Sequence, residues 1–337
     1  MTRVSDERAI AGEEELIQTF LAPLAAGAPG AFGLTDDCAA LTPPPGSDLV
    51  LKTDAVAEGV HYLPDDPPET IGWKSLAVNA SDLAAKGAAP LAYLMSLSFP
   101  AAPSRAWLAG FAAGLGRAQA AFGCHLVGGD TDRRPGPVSI TIMIAGIVPT
   151  GAMVRRTTAR PGDRLFVSGT LGDGALGLQV LRNPGLATAA GLDAAAIDGL
   201  VARYRTPTPR LALAEALRKH ASAAMDLSDG LAKDLGRMMR ASGTGARVAF
   251  ARLPLSAPAA CLLAADPSRT AAIAATGDDY EILAAVPATS AASFAADAAR
   301  AGVPVTDIGE VVSGAQVVIS DSAGAALSFG RTGWDHF

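Results

Sequence analysis

The sequence predicts an α+β fold that is divided into two domains. Both halves of the chain mix strand-like and helix-like segments of similar lengths. The length of 337 residues favours about two domains rather than one. The stretch "PTGAMVRRTTARPGD", which follows an apolar segment, has the proline and glycine content of a connection between domains. We therefore place an N-terminal domain at residues 1–150 and a C-terminal domain at residues 151–337.

The first half contains three predicted helices and four predicted strands. Leu16, Phe20 and Leu24 recur at helical spacing and begin the series. The predicted helices cover residues 13–25, 69–87 and 104–122. The predicted strands lie in "DLVLKTDAVAEGVHYL", "APLAYLMSLSFP", "CHLVGGDTDR" and "PVSITIMIAGIVP". The third of them is expected to be short and to end in a turn.

The second half alternates predicted helices with strand-like segments. Its first strand is expected in "RLFVSGTLG", directly after the connecting stretch. Two more strands are expected in "YEILAAVP" and "AQVVIS". The predicted helices cover residues 173–182, 190–203, 209–220, 230–241 and 288–302.

Charge and composition argue against several classes of partner. The chain carries 27 Lys and Arg against 33 Asp and Glu, with no long basic run, so we predict no nucleic-acid partner. The first 25 residues are too charged for a secretory signal. The apolar run at 140–148 is far shorter than the ~20 residues that a membrane-spanning helix needs. Three distant cysteines form no C-x-x-C pair, which argues against a disulfide framework or a structural zinc site. We expect a cytoplasmic protein that does not bind a membrane.

The predicted helix at 69–87 carries a polar stripe. Ser75, Asn79, Asp82 and Lys86 are spaced so that they share one helix face. Such a stripe is either an ordinary solvated face or a row that holds a metal or a phosphate. The apolar surroundings of this helix favour the second interpretation.

Acidic residues recur at the junctions between strands and turns. They are Asp36, Asp37, Asp54, Asp130, Asp278 and Asp279. Each of them alone is typical of turn chemistry. Together with Asp82 and the "DLSDG" stretch, they form a set of hard oxygen ligands of the kind that Mg²⁺ takes beside phosphates. The "DLSDG" stretch also precedes a predicted helix, so Ser228 and Asp229 are candidates both for helix capping and for metal or phosphate binding.

Other catalytic patterns are weak or absent in the sequence. Gly172, Gly174 and Gly177 match a dinucleotide-binding fingerprint, but no acidic strand end follows at the required distance. The chain has no Walker A motif and no kinase Gly-rich loop. Four histidines in unrelated positions leave hydrolase chemistry unsupported.

Seven stretches taken in order resemble the thiamine-monophosphate kinases, which belong to the superfamily of aminoimidazole ribonucleotide synthetase. They are "LTDDCAAL", "KTDAVAEGVHYL", "GWKSLAVNASDLAAKGAAP", "LVGGDTDR", "MDLSDGLAKDL", "TGDDYEIL" and "GWDHF". The resemblance extends from about residue 30 to residue 337. The second, sixth and seventh stretches are the ones that distinguish the kinase from the rest of its superfamily.

The resemblance implies a sheet-containing N-terminal domain that dimerises and a C-terminal α+β domain, with ATP and several Mg²⁺ ions bound in the cleft between them. It implies transfer of a phosphoryl group from ATP to thiamine monophosphate, without a catalytic base and with Arg156 as a charge stabiliser. The implied metal ligands are Asp37, Thr53, Asp54, Asp82, Asp130, Asp226 and Asp229. The implied ATP-binding residues are Gly129, Asp130, Arg156 and Ser228. The implied residues for the thiamine substrate are His61, Asp278 and Trp334, although a terminal Trp also suits hydrophobic docking of the tail.

Three positions depart from the family pattern. Thr35 replaces a glycine in the first acidic turn, Lys52 replaces a small hydroxyl residue near the metals, and Asp278 replaces a glutamate. Two alternatives remain. One is a sister ATP-dependent synthetase or cyclo-ligase with the same fold, and the other is a non-catalytic dimeric scaffold, for which the complete acidic set would be unnecessary.

Overall fold

The structure, a computed structural model, describes residues 6–335. Within them, one compact unit extends up to Leu83 and includes Ala89–Gly151, and a second unit consists of Ala84–Ala88 and the residues from Ala152 onward. The last two residues of the "GWDHF" stretch, His336 and Phe337, lie outside the described residues. No described helix is long and apolar enough to cross a membrane.

The first unit contains a four-stranded sheet. Its strands are β1 (Ser47–Ala57), β2 (Ala89–Phe99), β3 (His125–Arg133) and β4 (Ser139–Pro149). They lie in the order β1-β4-β2-β3, with β4 antiparallel to both neighbours and β2 parallel to β3. β3 continues through "GGDTDR" as a strand, because it pairs with β2 along its length, whereas the sequence suggested an early turn. β1 is an edge strand.

Among the described residues, three α-helices accompany this sheet. They are α1 (Glu13–Leu16), α2 (Pro68–Ala85) and α3 (Arg105–Phe122). The predicted helix at 13–25 has the right extent, but after α1 it becomes a π-helix at Ile17–Leu21 and a 3₁₀-helix at Ala22–Ala25. Pro23 has no N–H to donate, which fits this change of hydrogen bonding. α3 begins where the Ser104 hydroxyl accepts a bond from the Trp107 N–H at 3.2 Å.

The second unit contains a six-stranded sheet. Its strands are β5 (Asp163–Ser168), β6 (Ala223–Asp226), β7 (Gly245–Ala249), β8 (Ile282–Pro287), β9 (Val305–Val312) and β10 (Val317–Ser320). They lie in the order β10-β7-β9-β5-β8-β6, with β10 parallel to β7 and every other pair antiparallel. The sequence did not predict β6, β7 and β9.

Both faces of this sheet are buried, as the alternation of β5 shows. Leu165 and Val167 pack into one apolar cluster, with Leu235 of the second unit among its members. Phe166 points to the opposite face and packs into another cluster, with its ring 5.3 Å from that of Phe294. Since successive side chains of a strand point to opposite faces, two helical layers cover the sheet.

The described residues of the second unit contain eight α-helices. They are α4 (Asp173–Arg182), α5 (Gly185–Ala189), α6 (Ala194–Arg205), α7 (Ala214–His220), α8 (Leu231–Ser242), α9 (Ala257–Ala265), α10 (Thr270–Ala274) and α11 (Ala291–Arg300). The sequence did not predict α5, α9 and α10. The glycine fingerprint at the start of α4 has a packing cause. A Cβ on Gly174 would lie 2.2 Å from the Asp278 carbonyl oxygen, and one on Gly177 would lie 2.1 Å from the Leu200 carbonyl oxygen.

Candidate active site

The polar stripe on α2 is largely buried and is not a solvated face. Ser75 and Asn79 have no exposed surface. The Asn79 side-chain oxygen accepts a hydrogen bond from the Asp54 N–H of β1 at 2.9 Å, and its amide donates to the Ser75 carbonyl at 3.1 Å. Lys86 directly follows α2 and belongs to the second unit, where its ammonium donates to the Ala224 carbonyl of the same unit at 2.7 Å. The stripe therefore fixes α2 to β1 and supports Asp54.

Asp54 and Asp82 converge on one cation. The Lys52 Nζ lies 3.1 Å from Asp54 Oδ1 and 2.9 Å from Asp82 Oδ2. Burial and the neighbouring Asp82 raise the pKa of the Asp54 carboxyl to about 6, although Lys52 acts in the opposite direction. Burial alone would lower the pKa of Lys52, but the two carboxylates prevail and raise it. The pair thus has the charge and the spacing to hold a positive ion.

The remaining candidate ligands of the first unit belong to the other face of the sheet. Thr53 alternates with Lys52 and Asp54, so its side chain points to the opposite side of β1. On that side, a cavity of about 770 Å³ is lined by Asp37, Gly129 and Asp130 among mainly apolar sheet residues. Its size is that of a small-molecule pocket. The structure therefore divides the first unit's predicted site between two faces.

The Thr35 departure does not disturb the acidic turn of this cavity. Thr35 has φ of −111°, which any residue adopts, so a glycine is not required at this position. Its hydroxyl donates to the Phe32 carbonyl at 2.7 Å. The positive φ angles of this loop fall earlier, for example at Leu34 with 57°. Asp37 lies two residues after Thr35 and is exposed.

In the second unit, the "DLSDG" turn pairs with the "TGDD" turn. The Asp278 N–H donates to the Ser228 carbonyl at 3.0 Å, and the Tyr280 N–H donates to the Leu227 carbonyl at 2.9 Å. The Trp334 N–H donates to the Asp229 carbonyl at 3.0 Å, which adds the "GWD" stretch to the same place. Three motifs that are widely separated in sequence therefore meet at the end of β6.

The expected capping role of Ser228 and Asp229 is wrong. Gly230 precedes α8 with φ of 115°, and no side chain caps the helix from this position. The Asp234 carboxylate instead accepts the N–H groups of Asp229 and Gly230 at 2.9 and 3.2 Å. Burial raises the pKa of Asp234 to about 6. Because Asp234 satisfies these amides, the Ser228 hydroxyl is not used for capping.

The carboxylate of Asp229 is paired with cations of its own helix. Arg237 Nη1 donates a hydrogen bond to it, and Lys233 Nζ lies 3.6 Å away. Asp226 ends β6 and is 6% exposed. Among residues 6–335, no three His, Cys, Asp or Glu side chains come close enough together to hold a metal ion. The oxygen donors fit Mg²⁺ in type, since hard cations prefer carboxylates.

The Asp278 turn rests on a buried ionic network that sequence reasoning missed. Glu281 has no exposed surface and accepts hydrogen bonds from Ser168 at 2.6 Å, from Arg203 at 2.7 Å and from Arg210 at 2.7 Å. The same nitrogen of Arg203 donates to the Asp279 carbonyl at 3.1 Å. The only signal in the sequence was a glutamate inside the apolar run "YEIL".

Two residues of this turn have positive φ angles, Asp278 with 71° and Tyr280 with 51°. Asp is among the residues that tolerate this region best, so the replacement of glutamate at Asp278 suits the backbone. The Asp279 carboxylate accepts the Gly172 N–H at 2.9 Å, and its burial raises its pKa well above the usual range.

The other predicted residues are distributed over both units. His61 follows β1, and its Nδ1 accepts the Ala57 N–H at 3.0 Å. Arg156 lies in an exposed turn of the second unit, where its carbonyl accepts from the Ser242 hydroxyl at 3.2 Å. Trp334 is 47% exposed and lines a cavity of about 440 Å³ together with Arg269 and Arg331. The tail is thus docked through the backbone of Trp334 while about half of its surface stays accessible.

Comparison with known proteins matches both units to one family. Residues 35–148 match the family described as AIR synthase related protein, N-terminal domain, and residues 160–322 match its C-terminal domain. The thiamine-monophosphate kinase of Caulobacter vibrioides is 42% identical over 328 residues, covering 96% of this chain and 90% of that relative.

Solved structures agree with this match. The crystal structure of thiamine-monophosphate kinase from Stenotrophomonas maltophilia superposes with a TM-score of 0.78 at 38% identity, covering 87% of this chain and 91% of that one. The structure of AaThiL complexed with AMPPCP and TMP superposes with a TM-score of 0.74 at 30% identity, covering 97% of both chains. The chain belongs to the thiamine-monophosphate kinase family.

Proposed function

We propose that the protein transfers the γ-phosphoryl group of ATP to the phosphate of thiamine monophosphate, giving thiamine diphosphate and ADP. The observation that carries this proposal is the meeting of the "DLSDG", "TGDD" and "GWD" stretches at the end of β6. It brings carboxylates suited to phosphate-bound cations beside a half-exposed indole suited to stacking on flat rings. The AaThiL complex with an ATP analogue and TMP supports the same pair of substrates.

In the proposed reaction, a phosphate oxygen of thiamine monophosphate attacks the γ-phosphorus in line with the leaving ADP. One P–O bond forms, and the P–O bond to the β,γ-bridging oxygen breaks with its electron pair on ADP. The attacking oxygen is already anionic at neutral pH, so the chain needs no general base. A reaction without a general base is compatible with a chain that has only four histidines. Positioning and charge neutralisation are the main requirements of such a transfer.

We propose that the oxygen-bearing residues hold several Mg²⁺ ions. These residues are Asp37, Thr53, Asp54, Asp82, Asp130, Asp226 and Asp229. When bound, Mg²⁺ neutralises and orients phosphate oxygens. Gly129 and Ser228 would contact ATP, and Arg156 would add a fixed positive charge on the phosphates.

Three side chains would recognise the thiamine part of the substrate. Trp334 offers a flat face to the rings, while His61 and Asp278 offer polar contacts. The Asp278 side chain already accepts a hydrogen bond from the Tyr280 hydroxyl at 3.1 Å, which orients its carboxylate.

A product assay tests the reaction. The purified protein is incubated with ATP and Mg²⁺ and with either thiamine or thiamine monophosphate, and the thiamine species are separated by chromatography. We expect thiamine diphosphate to form one-for-one with ADP, and only from the monophosphate. If ATP is consumed without thiamine diphosphate, the alternative of a sister synthetase or cyclo-ligase is favoured. If ATP stays intact, a non-catalytic scaffold is favoured.

Two variants test the metal assignment within this assay. Asp82→Asn and Asp54→Ala should lower turnover by roughly 10²–10³-fold or more, because each removes charge from the pair that Lys52 bridges. Asp65→Asn, a change at an exposed carboxylate outside the site, is the matched control and should keep full turnover. Circular dichroism checks that all three variants fold. Near-normal activity of Asp82→Asn would count against the assignment.

We propose further that the protein is a cytoplasmic homodimer and that the exposed face of β1 contributes to the dimer. This face presents Leu49 and Leu51, which are 45% and 64% exposed, on an edge strand. An apolar, unpaired edge is the kind of surface that pairs with a second chain.

A further inference from the structure

Lys52 occupies the space between the two carboxylates that the first unit offers to a metal. Its Nζ lies within 3.1 Å of Asp54 and 2.9 Å of Asp82. Both distances lie within the range of N–H···O hydrogen bonds, so the ammonium is bound by both groups at once. The Lys52 side chain is only 32% exposed, and the pair therefore holds it in a partly desolvated position.

The backbone fixes this arrangement from two elements. Lys52 and Asp54 are two residues apart on β1 and so share the face that carries the buried Val50 and Val56. Asp82 lies on α2 three residues after Asn79, and Asn79 joins the two elements through the Asp54 N–H at 2.9 Å. The carboxylates thus meet without any rearrangement. Without a cation between them, they would repel each other.

We infer that Lys52 is a resident cation of the Asp54–Asp82 pair, and that this pair takes up a divalent cation only in competition with the protein's own ammonium. The inference rests on the proposed function, because that function assigns the pair to Mg²⁺. With Lys52 in place the three side chains carry a net charge of −1, whereas the carboxylates alone carry −2.

The consequence is a weaker divalent site at this pair than its carboxylates alone would form. The affinity of an oxygen site for a hard cation rises with the number of charged ligands available to it. Removal of the ammonium should therefore tighten Mg²⁺ binding by about tenfold. The presence of Lys52 would in turn keep the pair compact when magnesium is scarce.

Titration calorimetry with MgCl₂, in the absence of nucleotide and thiamine compounds, tests the inference on the full chain. Lys52→Thr and Lys52→Met should each bind Mg²⁺ about tenfold more tightly than the unmodified protein. Lys52→Met keeps most of the side-chain stem, so it covers the case in which Lys52→Thr fails to fold. Lys52→Arg keeps the positive charge, so the Mg²⁺ affinity of this variant should equal that of the unmodified protein.

Two further variants separate this effect from a general change of charge. Lys219→Thr removes an exposed lysine that pairs with Asp297 in the second unit, and it should leave Mg²⁺ binding unchanged. Adding Asp82→Asn to Lys52→Thr should abolish the gain, because it removes half of the pair. A second readout is thermal unfolding, in which Mg²⁺ should raise the Tm of Lys52→Thr more than that of the unmodified protein.

The result that would overturn the inference is Mg²⁺ affinity that is unchanged or weaker in both Lys52→Thr and Lys52→Met. The titration is independent of the kinase reaction. If the protein makes no thiamine diphosphate but Lys52→Thr binds Mg²⁺ more tightly, the proposed function fails and the inference stands. If it makes thiamine diphosphate and the Lys52 variants do not differ from it in the titration, only the inference fails.

Discussion

The buried carboxylate of Glu281 is connected to the turn that carries Asp278 through one of its arginine partners. Its carboxylate is bound by Arg203, Arg210 and Ser168, which meets the requirement that a fully buried charge be paired and hydrogen-bonded. Only Arg203 also reaches the backbone of the turn, through the Asp279 carbonyl. We therefore regard Arg203 as a positioning residue for Asp278, and Arg210 as a partner of the charge alone.

A matched pair of substitutions tests this difference. In Arg203→Lys, the shorter side chain cannot bring its ammonium to the position of Arg203 Nη2, the one nitrogen that bonds both Glu281 and the Asp279 carbonyl, so the turn should shift. We expect the KM for thiamine monophosphate to rise roughly tenfold with kcat little changed. Arg210→Lys weakens the same buried charge pair but does not touch the turn, so its KM should stay near that of the unmodified protein.

Steady-state kinetics with both variants, together with denaturant unfolding, gives the answer. Both variants should lose stability to a similar extent, since each perturbs Glu281. An equal rise of KM in Arg203→Lys and Arg210→Lys would mean that the network stabilises the unit without positioning Asp278.

At single positions, the sequence correctly predicted those neighbours that follow from the spacing of residues along one helix. The spacing of Asn79 and Asp82 on one helix was enough to place them together, and the structure sets both against β1. The two arginine partners of Glu281 lie 71 and 78 residues away, and Ser168 lies 113 residues away, so no local pattern connects them. The sequence did not predict that Asp234 accepts the amide N–H groups at the start of α8. The position before this helix is Gly230, which has no side chain to cap it, whereas Ser228 and Asp229 were the expected caps.

At the scale of elements, the candidate site depends on two turns that approach each other at backbone distance. Gly277 permits this approach, because a Cβ there would lie 1.8 Å from the Ser228 carbonyl oxygen. The hydrogen bond from Asp278 N–H to Ser228 follows directly. Any side chain at Gly277 must therefore separate the turns.

Gly277→Ala should lower the free energy of unfolding by about 1–3 kcal/mol, because the methyl group meets backbone rather than a movable side chain. The control is Gly199→Ala in α6, where nothing lies within 4 Å of the added Cβ. That change should raise stability by about 0.5–1 kcal/mol, as expected for alanine in a helix. Chemical denaturation measures both, and a neutral Gly277→Ala would contradict the described contact.

Element prediction succeeded where periodicity and end signals agree. α3 was predicted to within one residue, because Ser104 caps its start and Gly123, with φ of 74°, ends it. α9 was missed because its sequence "APAACLLAA" is apolar on every side and shows no helical period. β9 was missed because it contains Asp307, which resembles a loop residue but binds Arg164 of β5 at 2.8 Å. Tertiary contacts, rather than local sequence preference, therefore determine α9 and β9.

At the scale of the whole molecule, the apolar edge of β1 has to be explained. Leu51 is 64% exposed although it lies in a strand of very regular pairing with β4. The residues beside it across the sheet, such as Ala145 and Met143, line the cavity of the first unit. A second copy of the chain on this face would cover Leu51 and lie next to that cavity.

Leu51→Asp should convert the proposed dimer to a monomer, because it places a charge in an interface that would otherwise be apolar. Sedimentation velocity at several concentrations measures the change. Met153→Asp, at another exposed apolar residue, is the control and should leave the dimer intact. A monomeric unmodified protein, or a Leu51→Asp variant that still dimerises, would rule out this face.

The five residues Ala84–Ala88 make the second unit discontinuous along the chain. Ala84 and Ala85 fill its apolar cluster, and Gly87 accepts a hydrogen bond from Arg218. A gene fragment that encodes only the residues from Ala152 onward would lack these groups and would leave a gap in that cluster. The second unit is therefore not encoded by one continuous stretch of the chain. A recombinant fragment that begins at Ala152 would need Ala84–Ala88 to be supplied with it to complete this cluster.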